Sequence, residues 1–431
     1  MKIFRGTIFL LLAAFILLAE LGCGDQYRPV ANPIIGPGGQ PQSTHFAYVL
    51  NSNSNPNGDG STTKIDVSGD TVSWVQTLGV GSTYEALLPN STALFVANSG
   101  DDTVSDYSAF LNGAVTIVGL LPGSHPVFLT STQTSNMYVL NSGPIKDVCQ
   151  TGSVSSILTS TGSVTNTGCV GLNPINIPIN MVQAAGGGQI FVLTQGDSTN
   201  PSAVTVLDPT TLAVVKGGTL TSADGLGLNP VYATSSVDGS YIFVVTQGDG
   251  VNPGVLDILT PGTPPAVAKN SAPLGVKPTY SYLDPHLNRL YVTNTGDNTV
   301  SIFDASNVNV ANSPPIPSLA APVLVGTAPT GIVALQDGSR FYVANSGSSN
   351  VSVVSATSFA VLKTTAVGVN PIFVAADPTS TKVYVTNQGS SSTSVIQTVN
   401  DTVVATIAAP PQVPGCTTSC ALQQPIMVLT Q

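Results

Sequence analysis

The sequence predicts an all-β fold, an eight-bladed β-propeller, with seven blades as the alternative count. Three observations lead there. Only 8% of the residues are charged, while 42 glycines and 32 prolines punctuate the chain, a mixture that suits many short strands joined by tight turns. A segment close to YVTN recurs eight times, starting at Tyr48, Phe95, Tyr138, Phe191, Phe243, Tyr291, Tyr342 and Tyr384. The repeat is also split at its ends, which a ring requires and an open stack does not.

Spacing fixes the size of the unit. Successive copies start 42 to 53 residues apart, as read from those residue numbers, and each unit reads as strands and not helices, which favours propeller blades over a solenoid. The clearest copy spans residues 368 to 409. GVNP sets a turn whose proline cannot donate to a ladder, so a strand, IFVAA, starts beside it as the innermost strand a. DPTSTK is a polar turn. KVYVTN is strand b, and its almost unbroken apolar character means that both faces are buried. NQGSSS turns the chain, TSVIQTV is strand c and VVATIAA is the outer strand d.

The same order is legible in HPVFLTSTQTSNMYVLNSG, NPVYATSSVDGSYIFVVTQGD, KPTYSYLDPHLNRLYVTNTGD and APTGIVALQDGSRFYVANSG. HFAYVLN enters as a strand b with no strand a before it, and QPIMVLTQ leaves as a strand a with no strand b after it. Paired, the two make one blade and remove the exposed sheet edges. Two segments challenge a count of eight: the divergent copy around Cys149 to Cys169, and the proline-rich insertion SPPIPSLAAP at 313 to 322.

Upstream of the repeats the chain reads differently. Lys2 and Arg5 precede the apolar run from Ile8 to Ala19, too short to span a bilayer but suited to an export signal over residues 1–22. Gly22 and Cys23 follow, and this junction resembles the bacterial lipobox, which implies acylation of Cys23 and membrane anchorage in the cell envelope, in the periplasm or at the surface. Residues 23–44, rich in Pro, Gly and Gln, read as a flexible tether, and residues 45–431 as the propeller. Setting Cys23 aside leaves Cys149, Cys169, Cys416 and Cys420, an even number in an exported chain, read as two local disulfides, Cys149 with Cys169 and Cys416 with Cys420.

On these eight copies and their flanks, residues 45 to 431 resemble the YVTN family of β-propellers found in bacterial and archaeal surface-layer and envelope proteins. FVLTQ and FVVTQ in the fourth and fifth copies depart from the family's asparagine. The resemblance implies an envelope-anchored binding scaffold for a protein, glycan or other ligand. Two other classes stay open: a lactonase-like propeller hydrolase, and a structural surface-layer or adhesion component.

Function must come from sites, since one fold hosts many activities. With 12 basic against 22 acidic residues, nucleic acid is excluded as the expected partner. His125, in GSHP, and His286, in DPHLN, fall on opposite faces of such a ring and cannot share an active centre; with His45 they read as turn residues. Arg28, Arg289 and Arg340 do not converge, and Trp74 alone does not supply the tryptophan docking repeats of a quinoprotein dehydrogenase. Glu85, the one glutamate after the signal, aligns with Val374 on strand a and is expected to line the central channel, wetted by its water, where a carboxyl of raised pKa is a candidate acid or base. Asp59, Asp101, Asp102, Asp197, Asp249 and Asp297 sit on equivalent turns after strand b and would form an acidic rim on one face. Such a rim offers oxygen ligands to calcium or attracts a basic partner; the competing reading is that Asp suits tight turns.

Overall fold

The computed structural model describes residues 45–53, 58–110, 114–170, 177–196, 201–249, 253–410 and 423–431. Cys23, Asp197, Cys416, Cys420 and the predicted signal and tether lie outside the described residues. The described residues form eight antiparallel sheets of four or five strands, and the innermost strands neighbour one another in succession around a closed ring. Eight blades are therefore present.

Closure follows the split repeat. Blade 1 takes its strand a from the far end of the chain, Gln423–Thr430, which pairs antiparallel with strand b, Phe46–Asn53, with Val49 opposite Val428. Asp59–Asp66 and Thr71–Val80 complete that blade as strands c and d. Gln423–Thr430 sits between the innermost strands of blade 8, Pro371–Ala376, and blade 2, Ser82–Leu87. The last strand is thus locked from three sides.

Each strand b is buried on both faces, which accounts for its continuous apolar sequence. In blade 2, strand b Ala93–Asn98 sends Leu94 and Val96 towards blade 1, beside Tyr48 and Leu50, and Phe95 and Ala97 towards blade 3, beside Leu129 and Val139. The period of two alternates the destination. On one face of the ring, strand b also ties several blades to the next. The buried Tyr48 and Tyr138 hydroxyls donate to the Ala109 and Pro209 carbonyls of the following blades' c-to-d turns, Tyr342 donates to Asp401, and Arg340 pairs with Asp401 at 2.6 Å.

The proline-rich insertion does not break the ring. It runs beside strand c of blade 6, Thr299–Asp304, where Phe303 bridges Ser318 and the Leu319 amide donates to the Ile302 carbonyl, with Ile316 fully buried. It covers the stretch that the two-residue outer strand Val323–Leu324 leaves open. In blade 3 the divergent copy closes with the expected Cys149–Cys169 disulfide, its Cα atoms 5.3 Å apart.

Candidate functional site

All eight innermost strands break register just after their proline, or after Ser82 in blade 2, with one residue unpaired or, in blade 7, two. A bulge bends the strand and re-aims the side chain that follows. Counted from the proline, or from Ser82 in blade 2, the third residues of blades 1 to 8 are Met427, Tyr84, Phe128, Asn180, Tyr232, Tyr280, Gly331 and Phe373. The rings of this tier meet around the axis. Tyr84 lies 4.0 Å from Phe128, Tyr232 4.6 Å from Tyr280, and Tyr280 5.9 Å from Phe373, centroid to centroid.

The last contact bridges blade 7, and the residue between is Gly331. A Cβ there would come within 3.0 Å of the Phe373 Cα, so glycine provides the space. The phenols of Tyr84, Tyr232 and Tyr280 stand close enough to act on one another, and blades 2 and 6 stand opposite one another in the ring. The central channel is therefore crossed at this level by phenol side chains. Burial pushes all three phenols above the usual tyrosine range, so they stay neutral donors.

Glu85 is on strand a as expected, but its carboxyl does not face the channel. It is 0% exposed and turns between blades 1 and 2, where Thr62 donates to Oε1 at 3.0 Å and the Tyr107 hydroxyl donates to the same oxygen. Oε2 has no partner. The bulge explains the correction: with the third residue on the axis, the fourth falls into the joint with the preceding blade. Desolvation pushes this carboxyl up to about 7, against the lowering effect of the two hydroxyls.

Asp101 and Asp297 share one geometry. Oδ2 accepts the amide of Val80 or Val276 at 3.0 Å, and Oδ1 accepts the hydroxyl of Thr103 or Thr299 at 2.7 Å. Each carboxylate binds the d-to-a segment that leads into its own blade. Asp102 reaches the next blade, accepting the amides of Gly123 at 2.7 Å and His125 at 2.8 Å; Asn298 repeats that reach to Ala328 at 2.8 Å. These side chains stitch loops together, which is the turn chemistry weighed against a cation rim. Asp59 begins strand c of blade 1 and Asp249 is exposed after strand b of blade 5. The described residues contain no group of three or more His, Cys, Asp or Glu able to hold a metal ion.

The histidines stand on opposite faces. His125 Nδ1 is 2.9 Å from the Ser99 carbonyl on the face of the b-to-c turns, whereas the His286 amide donates to Asp284 in an a-to-b turn. Arg289 donates to the Ala356 carbonyl and lies 5.5 Å from the Phe359 ring centroid, so like Arg340 it serves the joint between blades.

Two sets of residues escaped sequence reasoning. One is the aromatic tier, whose signal is the recurring proline, any residue, then Phe or Tyr. The other is the asparagine that ends strand b. In six blades Asn51, Asn98, Asn141, Asn294, Asn345 and Asn387 are fully buried and donate through Nδ2 to two side-chain oxygens on strand c, such as Ser392 and Ser394 for Asn387. In blades 4 and 5, Thr194 and Thr246 take its place and donate to the strand c carbonyls of Ala203 and Val255.

No family model matches the chain, and no curated protein matches it in sequence. Solved structures do. Dihydro-heme d1 dehydrogenase NirN superposes with a TM-score of 0.65 at 11% identity, covering 89% of this chain and 74% of that one. AztD of Citrobacter koseri gives 0.60 at 12%, covering 90% and 98%. A putative 6-phosphogluconolactonase of Bacteroides fragilis gives 0.56 at 11%, also covering 90% and 98%. At such identities the likeness concerns fold alone: the chain is an eight-bladed β-propeller, similar in architecture to proteins of several activities.

Proposed function

We propose that this chain is an exported, lipid-anchored propeller of the YVTN type, a non-catalytic scaffold that presents one face of its ring to a protein or glycan ligand in the cell envelope. The observation that carries the reading is the aromatic tier. Aromatic side chains packed on one another around the axis commit the channel centre to rigidity, and polar groups that could have served chemistry are engaged in holding loops and blades. Asp101, Asp102, Asp297, Arg289 and Arg340 each bind neighbouring backbone or side chains. Rigid loops on a closed ring make a pre-organised surface, which lowers the entropy cost of binding. Acylated Cys23 would hold the ring at a membrane.

Purified protein is to be assayed against a panel of lactones and, in parallel, on arrays of envelope glycans and by pull-down with envelope proteins. Saturable binding without turnover supports the scaffold. Lactone turnover above background, abolished by substitution in the ring, overturns it in favour of the hydrolase.

A further inference from the structure

The joint between blades 1 and 2 departs from the pattern of the other joints. At the fourth position of strand a, where Glu85 stands, the other blades carry Leu129, Met181, Ala233, Ser281, Ile332, Val374 and Val428, all buried. The facing residues are altered to match. Thr62 takes a strand c position that is Val or Leu in blades 2 to 7, as at Val104 and Val300, and Thr393 in blade 8, and Tyr107 a position that is aliphatic or Phe in the other blades, as at Ile157 and Phe303. Glu85 and Tyr107 are particular to this joint, and with Thr62 they form a buried polar cluster beside the one blade assembled from both ends of the chain.

We propose that this joint is a proton-controlled seam: it is closed when the Glu85 carboxyl carries a proton and loosens, admitting water between blades 1 and 2, when that proton is lost. The geometry requires the coupling. Both available donors, Thr62 and Tyr107, converge on Oε1, so an ionised Glu85 leaves Oε2 buried without a donor. A buried charge with an unsatisfied oxygen is costly, and separating the sheets to let in water relieves it. The titratable groups facing Glu85 are the Tyr107 hydroxyl from its own blade and the Tyr48 hydroxyl from blade 1, with no cation paired to it. Lys64, on the same face of blade 1, is held elsewhere, its ammonium on the Phe110 carbonyl and 3.8 Å from the Phe46 ring centroid. Asp106, one residue before Tyr107, points to the alternate face of strand c, towards blade 3. Loops on the face of the b-to-c turns cross the seam, since the Gly81 amide at the start of blade 2 bonds the Gly58 carbonyl of blade 1. Opening therefore moves the b-to-c loop of blade 1 against blade 2.

Hydrogen exchange, corrected for the intrinsic pH dependence of amides, reads the seam directly in the full chain. With the carboxyl at about 7 in the closed joint and near 4.5 in the open one, opening of Ser82–Leu87 and Asp59–Asp66 is expected to increase about tenfold from pH 6 to pH 8. Glu85→Gln is expected to abolish that response and Asp106→Asn to preserve it. Tyr107→Phe, which keeps the ring and removes a donor to the anion, is expected to move the midpoint to higher pH, and it tests the seam even where Glu85→Gln fails to fold. Equal opening of the wild type at both pH values, an unchanged response in Glu85→Gln, or an unmoved midpoint in Tyr107→Phe overturns the proposal.

Discussion

Lys382 of blade 8 places its ammonium 2.7 Å from the Asp70 carboxylate of blade 1, joining residues 312 positions apart. The same ammonium donates to the Val67 carbonyl at 2.6 Å, and the Tyr384 hydroxyl reaches Asp70 at 3.4 Å. Both charged side chains are only 16% exposed. This pair clasps the ring where its ends meet, at the c-to-d turn of the blade that both ends build.

Lys382→Met should therefore cost more than an ordinary surface ion pair. It leaves the Val67 carbonyl without the ammonium and Asp70 with only the long bond from Tyr384, and a loss of about 1–3 kcal/mol is expected. Chemical denaturation of the variant and wild type checks it. A loss indistinguishable from zero would mean that the closure does not depend on this contact.

The buried asparagines make a second expectation. Asn98 is satisfied at both ends, because Ser82 donates to its Oδ1 at 2.8 Å. In the other five asparagine-bearing blades a proline occupies the position of Ser82, and Oδ1 of Asn51, Asn141, Asn294, Asn345 and Asn387 has no partner. Ser82→Pro should orphan Asn98 in the same way and lower stability by about 1 kcal/mol, whereas Asn387→Leu should cost about 1–3 kcal/mol by stranding Ser392 and Ser394. Thermal melts of the two variants give the comparison.

Stability should also fall with rising pH. Glu85 has a folded-state pKa of about 7, above its ordinary 4.5, so the native state holds the proton more tightly. The folded state is then most favoured below pH 4.5, as far as this group is concerned. It loses about 3 kcal/mol as pH rises to about 7, and little beyond. Glu85→Gln should flatten this part of the profile and melt higher than wild type at pH 8. A wild-type profile without that slope would contradict the burial of this carboxyl.

Gly331 tests the tier around the axis. Alanine there meets the Phe373 Cα at 3.0 Å and the Ile372 carbonyl at 3.1 Å, both backbone atoms. Gly331→Val should destabilise by about 1–3 kcal/mol through overpacking and separate Tyr280 from Phe373. Near-ultraviolet circular dichroism, which reports tyrosine packing, should change with it.

Much of the architecture was legible because propeller blades write their burial into strand b. Runs such as KVYVTN and RFYVAN announce two covered faces, and the split repeat at HFAYVLN and QPIMVLTQ announces the closing pair. The short outer strands of blades 5 and 6 were not legible, because they carry little apolar pattern and the insertion around Ile316 covers part of that edge. Glu85 was placed on the correct strand and the wrong side. A period of two counted along strand a puts it on the axis, but the bulge after the proline shifts the count by one, and only strand pairing reveals a bulge. The acidic turns were found by spacing, while their employment in holding Val80, Gly123 and Val276 required the neighbouring loop to be in view.

The most direct measurement of the closed ring is disulfide trapping between Val49→Cys and Val428→Cys, which stand directly opposite in the ladder formed by the two ends of the propeller. Mild oxidation of the folded double variant is expected to give an intramolecular cross-link, identified by peptide mass mapping, with a raised melting temperature. Two free thiols that stay reactive, in a protein that otherwise melts like the wild type, would contradict closure by the terminal strand.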